Sequence, residues 1–143
     1  MSQTDFQASA LRTINSELEA ITSLKQRIDE RFTQACELIM TCKGRVVVTG
    51  MGKSGHIGGK LAATLASTGT PSFFMHPGDA GHGDLGMITN ADIVIAISNS
   101  GNAHEILTLL PIIKRLNVPL ISMTGNPESA IAKRANVDLP IGV

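Results

Sequence analysis

The chain has 143 residues, 43% of them hydrophobic, and twelve basic side chains balance twelve acidic ones. One domain of that length can bury a real core, and zero formal charge with no basic stripe argues against a nucleic-acid partner. The longest purely apolar runs reach about five residues where a membrane span needs roughly twenty, and the amino end MSQTDFQASAL lacks a signal-peptide core, so no membrane association is expected.

Cys36 and Cys42 are the only cysteines, and their spacing matches neither a CxxC redox pair nor a zinc site; a reducing cytoplasm fits best. With 3% aromatics and neither Trp nor Tyr, the chain also lacks the stacking platforms that single-stranded nucleic acid uses.

In chain order, residues 5 to about 42 read as helix. Leu11, Ile14, Leu18, Ile21, Leu24, Ile28, Phe32, Ala35 and Ile39 follow three- and four-residue steps, with Arg12, Glu17, Lys25 and Glu30 between them. An unbroken helix of that length would outreach a small domain. The stripe therefore predicts a break near Asp29, or an apolar face that covers a second subunit, against the plainer alternative of packing on the chain's own sheet. Gly44 ends the helical region.

Residues 45–49 (RVVVT) make the first strand, residues 50–55 (GMGKSG) a turn, and His56 to Ser67 a helix with Ile57, Leu61 and Leu65 on one face. The turn contains GKS, but a Walker loop needs glycine at position 47, where this chain has Val. It also fits GxGxxG, yet the acidic residue that a dinucleotide site requires after the second strand is missing: residues 72–75 (SFFM) run into His76 and Pro77. What survives is a glycine-rich turn with a cation, Lys53, and a hydroxyl, Ser54, both suited to an anion. Residues 76–88 (HPGDAGHGDLGMI) form an irregular loop in which His76 and His82 can serve as acid, base or metal ligand, or simply cap local turns.

The most informative stretch is residues 93–110 (IVIAISNSGNAHEILTLL). Five apolar residues, mostly β-branched, mark a strand buried on both faces. Ser98, Asn99, Ser100 and Gly101 then form a polar turn, and Ile106, Leu109, Leu110 and Ile113 return with helical spacing. Such a turn lies between the carboxyl end of a strand and the amino end of a helix, where free N–H groups and the helix dipole favour an anion. Phosphate is the natural candidate. Glu105, about one turn into that helix, would repel a phosphate placed over it, which suggests proton transfer on the rest of the ligand. A plain N-cap is the alternative reading of the same serines.

Pro111 should kink the helix by removing a bond to the carbonyl of Leu107. Residues 118–123 (VPLISM) make the fourth strand, Asn126 caps a short helix opened by Pro127, and residues 136–140 start a fifth strand. The alternation predicts an α/β fold: a three-layer αβα sandwich around a five-stranded parallel sheet with flavodoxin-like topology, preceded by an N-terminal helical region. The expected division is residues 1–43 for the helical region and 44–143 for the binding domain. If the first strand lies beside the third, Lys53 and Ser54 face the same crevice as Ser98, Asn99 and Ser100.

The stretch VVVTGMGKSGHIGGKLAATLASTGTPSFFMHPGDAGHGDLGMITNADIVIAISNSG resembles the sugar isomerase (SIS) domain of the arabinose 5-phosphate isomerases; GMGKSGHIG, TGTPSFF, HPG, HGDLGM and ISNSG occur in the family's order and spacing. The resemblance implies reversible isomerisation of D-arabinose 5-phosphate and D-ribulose 5-phosphate through an enediol, feeding the eight-carbon acidic sugar of lipopolysaccharide. It implies a substrate phosphate held by Ser54, Ser98 and Ser100 with the amides around Asn99, and substrate contacts from Gly69, Thr70 and His82. Catalytic roles fall to Lys53, His82 and Glu105, with Glu105 or His82 as the base. His76 matches a histidine associated with bound metal, zinc in particular, although the chemistry is cofactor-free.

A sugar phosphate and a homo-oligomer, dimer or tetramer, are the implied partners. Many SIS turns carry Ser or Thr where this chain has Ala103, which removes one phosphate donor. The family also continues past Val143 with further glycine- and serine-rich sequence and paired regulatory domains, so on this expectation the chain is a fragment with a native-like fold and impaired activity. The competing function is a non-catalytic sugar-phosphate sensor, which would keep the SNSG turn and dispense with Glu105 and His82.

Overall fold

A computed structural model of the chain describes residues 5–80 and 83–142. The expected helical region is two helices, α1 (Phe6–Leu24) and α2 (Glu30–Thr41), joined through a 3-10 turn at Lys25–Arg27. The break falls where the spacing places it. Ile28 is extended, and Asp29 caps α2 by accepting from the Arg31 N–H at 2.9 Å. Asp29 and Arg31 also pair side chain to side chain in the open, and the guanidinium holds that carboxyl below its ordinary pKa.

Five parallel strands follow: β1 (Val46–Gly50), β2 (Ser72–Met75), β3 (Ile93–Ser98), β4 (Leu120–Thr124) and β5 (Val137–Pro140). Their order is β2-β1-β3-β4-β5, so β1 lies beside β3 as flavodoxin-like topology requires. The helices between them are α3 (Gly52–Ser67), the single turn α4 (Pro77–Ala80) and α5 (His104–Arg115). Side chains of the strands alternate between two cores. On one face Val46, Val48, Ile93, Ile95, Ile97 and Ile121 pack against Ala35 of α2 and Ala62 of α3. On the other, Val47, Val94, Ala96 and Leu120 meet Ile106, Leu109, Leu110 and Ile113 of α5. Both central strands are buried along their whole length, which is why they read as unbroken apolar runs.

At the amino edge of the sheet, Asp92 ties β1 to β3. Its carboxylate is buried and accepts from the Arg45 N–H at 2.7 Å, the Thr89 N–H at 2.7 Å and the Thr89 hydroxyl at 3.1 Å, with the Arg45 guanidinium at 3.3 Å. Burial pushes this carboxyl up, but the bonds from Thr89 and Arg45 outweigh it and leave the pKa below the ordinary carboxylate value. A Cβ at Gly44 would collide with the same carboxylate, so only glycine fits there.

Two boundaries differ from the sequence reading. Helix α3 begins at Gly52, so Lys53 and Ser54 belong to its first turn and not to a loop before it. Pro127 opens no α-helix: Asn126 does use its side chain, accepting from the Glu128 N–H at 2.9 Å, but the chain then makes turns and a 3-10 segment at Ala132–Arg134. The amides of Ala130 and Ile131, which a helix would need, are taken by the loop after β3.

Candidate functional site

The carboxyl tips of β1 and β3 are adjacent, with Gly50 opposite Ile97. Beyond β1 the chain turns onto one face of the sheet as α3, and beyond β3 onto the other as α5. Neighbouring strands whose connections leave to opposite faces open a crevice between them. Two glycines let the elements close around it. A Cβ at Gly50 would press on the Ser54 backbone and the Ile97 carbonyl, both about 3.0 Å away, and one at Gly55 would strike the Gly50 carbonyl. The first turn of α3 therefore sits directly against both strand tips.

Neither helix is capped by a side chain. The N-cap residues are Met51 for α3 and Ala103 for α5, and neither offers an oxygen to the first-turn N–H groups. Two sets of unsatisfied donors, each at the positive end of a helix dipole, thus face one crevice, and an anion satisfies both. Ala103 has no hydroxyl to donate to that anion, and the same lack leaves the amides of α5 free to do so.

The SNSG turn is held from within and from below. Ser98 is buried at the end of β3, and its Oγ accepts from the Gly101 N–H at 3.1 Å; Ser100 Oγ accepts from the Asn102 N–H at 3.2 Å. Each hydroxyl keeps its own proton for another acceptor. Gly101 has φ +63°, and a Cβ on it would collide with Ser129 Oγ. Beneath the turn, the Gly125 N–H donates to the Asn99 carbonyl at 2.9 Å, the Ala130 N–H to Asn102 Oδ1 at 3.0 Å and the Ile131 N–H to the Gly101 carbonyl at 3.0 Å. The residues missed by sequence reasoning are therefore Asn102, Gly125 and Ser129, which shape the turn. Their only signal is the TGN turn at the end of β4.

The carboxyl edge collects Lys53 and Ser54 at the start of α3, Ser98, Asn99 and Ser100 in the turn, and Glu105 in the first turn of α5. Lys53, Asn99, Ser100 and Glu105 are exposed and Ser54 is half-buried. His76 stands at the same edge, at the tip of β2, but its Nδ1 accepts from the Gly78 N–H at 3.2 Å and so caps a local turn. Among the described residues no three His, Cys, Asp or Glu side chains gather as a metal site. The Nδ1 of His76 is thus engaged in that turn, and among the described residues this side chain has no companion donors for a metal.

Gly69 and Thr70 are not in this crevice. They connect α3 to β2, where Pro71 accepts from the Val46 N–H, and so lie at the amino edge of the sheet, a strand's length away. The reason is topological: in a parallel sheet every helix-to-strand connection returns to the amino edge. Gly69 is glycine for its φ of +98°. His82 lies outside the described residues. A cavity of about 600 Å³, lined by Ile113, Lys114, Val118 and Arg134 among others, also opens at the amino edge, away from these groups.

A doubly wound parallel domain with an anion-favouring crevice at its switch point defines the class. Residues 39–142 match the family model described as the SIS domain. The chain belongs to the SIS domain family. It is 64% identical over 139 residues to arabinose 5-phosphate isomerase KdsD of Pseudomonas aeruginosa, a match covering 97% of this chain and 43% of that protein. The chain thus spans less than half the length of the curated relatives it matches. Among solved structures it resembles that of an Escherichia coli CFT073 protein in complex with arabinose 5-phosphate, with 43% identity and a TM-score of 0.93 over all of this chain and 76% of that one. A "putative sugar-phosphate isomerase" of Listeria monocytogenes aligns with 36% identity and a TM-score of 0.95 over all of this chain and 75% of its own.

Proposed function

We propose that the chain is the sugar-phosphate-binding and catalytic part of an aldose–ketose isomerase acting on D-arabinose 5-phosphate and D-ribulose 5-phosphate. The observation that carries this reading is the pair of uncapped helix N-termini at adjacent strand tips, with a free carboxylate, Glu105, in the first turn of one of them. The phosphate takes the amides and the protons of Ser54, Ser98 and Ser100. Its charge repels Glu105, which leaves that carboxylate for the sugar carbons. A base removes the proton from C2 of the aldose or C1 of the ketose and returns it to the neighbouring carbon, while a second proton passes between the two oxygens. Glu105 or His82 is the base, and Lys53 screens the charge that develops on the enediolate oxygen. No cofactor is required. The reading includes a cytoplasmic, homo-oligomeric protein supplying the eight-carbon acidic sugar of lipopolysaccharide, and it is supported by the similarity to KdsD and to the relative solved with bound sugar phosphate.

Turnover of ribulose 5-phosphate by the wild type and by Glu105→Gln tests it. The expected result is measurable wild-type turnover that falls at least a hundredfold in the variant, in the range that general acid–base groups contribute. Silence from both would show that these 143 residues do not catalyse. Because the chain spans 43% of its relative, a non-catalytic sugar-phosphate-binding module is the second reading. It would give thermal protection by one phosphosugar with no hydrogen exchange at C2.

A further inference from the structure

The cavity of about 600 Å³ at the amino edge lies between the carboxyl end of α5 and the 3-10 segment Ala132–Arg134, over the start of β4. The proposed isomerisation makes no use of it. Its floor is apolar, built from the buried side chains of Leu110, Ile113 and Val118, while its rim carries Lys114, Lys133 and Arg134 and no carboxylate. In a chain of zero formal charge, three cations around one apolar hollow are a local excess. Lys114 is exposed and forms no ion pair among the described residues. Lys133 pairs with Glu128 at 2.9 Å, but in open solvent, where such a pair is weak and yields to a competing anion.

The neutral groups around the rim reinforce that charge. Asn136 Oδ1 accepts from the Leu120 N–H at 2.8 Å, which leaves the protons on its Nδ2 to donate. Arg134 Nη1 donates to the Ala130 carbonyl at 2.9 Å, a bond that anchors the guanidinium and leaves its other N–H groups available. The negative pole of α5 is blunted: the carbonyls of Ile112, Ile113 and Lys114 accept from the N–H groups of Leu116, Val118 and Asn117, a closure made by the left-handed Asn117 at φ +54°. We infer that this cavity is an anion site separate from the crevice, and that it takes a small organic phosphate or carboxylate carried on an apolar ring or chain. Its volume falls within the roughly 300–1,000 Å³ of small-molecule sites. The cations and amide protons suit the headgroup, and the floor needs an apolar body to cover it. A nucleic acid fits poorly, because the cations ring one hollow and form no stripe.

No residue of the crevice lines this cavity, so the inference stands or falls apart from the isomerase reading. Amide NMR shifts of the isotope-labelled 143-residue chain test it, with phenyl phosphate and benzoate as the two headgroups and inorganic phosphate and phenol as the separate halves. Saturable shifts should appear at the amides of Asn117, Leu120 and Asn136 with at least one of the two aromatic anions, at a Kd below about 1 mM. The tighter of the two identifies the headgroup. Inorganic phosphate and phenol should each bind there at least about tenfold more weakly than that anion. Lys114→Glu should weaken binding at least about tenfold and Lys114→Arg less than about threefold, since only the first removes the charge. Lys114 is exposed, and an unchanged amide spectrum for the strands checks that both variants fold. The inference is overturned by the lack of a saturable shift with either anion, by shifts confined to the SNSG turn, or by binding that Lys114→Glu leaves intact. Phenol or inorganic phosphate binding as tightly as the aromatic anion overturns it as well.

Discussion

Gly101 shows how closely one position is specified in this molecule. It needs a left-handed backbone, and a Cβ there would occupy the place of Ser129 Oγ. Replacement by Ala should cost about 1–3 kcal/mol in urea denaturation and should also abolish thermal protection by a phosphosugar, because the turn it closes carries Ser98 and Ser100. The position is legible in the sequence as a turn glycine. What it touches is not, because Ser129 lies far along the chain and no local pattern records that approach. Gly69 teaches the opposite lesson: a motif shared with a family marks it as a ligand contact, whereas the order of strand and helix alone sends it to the other edge of the sheet.

Between elements, burial rather than apolarity decides what a side chain contributes. Leu109 of α5 is 1% exposed and Leu18 of α1 is 56% exposed, though both sit on regular apolar stripes. Leu109→Ala should destabilise the domain by about 2–5 kcal/mol, whereas Leu18→Ala should change the unfolding free energy of a single chain by less than about 0.5 kcal/mol. Chemical denaturation at protein concentrations low enough to keep chains apart separates them. Strand β3, the SNSG turn and α5 are readable in advance because an all-apolar strand gives way abruptly to a 3.6-residue period. The Asn126–Pro127 helix fails because the amides of Ala130 and Ile131 go to Asn102 and Gly101, a tertiary demand that overrides the local capping signal. Similarly, the GKSG segment reads as loop because its glycines hide a helix start, and the helix absorbs Lys53 and Ser54 into its first turn.

For the molecule as a whole, the tie between β1 and β3 at the amino edge makes part of its stability depend on acid. Asp92 has a depressed pKa in the folded state, so its contribution is fully present above the unfolded carboxylate value near 3.9 and is lost as pH falls through the lower folded value. Asp92→Asn should therefore be markedly less stable than wild type at about pH 6, with the gap narrowing as the pH is lowered toward about 3. Urea midpoints at a series of pH values measure it. A constant gap would mean that the carboxylate acts through shape and not through charge. The overall topology is accessible from the alternation of strands and helices, but this tie is not, since Arg45 and Asp92 are separated by 47 residues and meet only because β1 and β3 are neighbours.

The position of β1 inside the sheet also bears on how a ribosome delivers this chain. The strand made first is flanked on both sides in the finished protein, by β2 and by β3, so it cannot be completed until residue 98 has emerged. Even then the turn after β3 lacks its lower support, because Gly125 and Ile131 are still to come. The turn after β3 is thus fully supported only once residue 131 has emerged. A nascent chain halted between β3 and β4 would carry paired central strands and a slack SNSG turn.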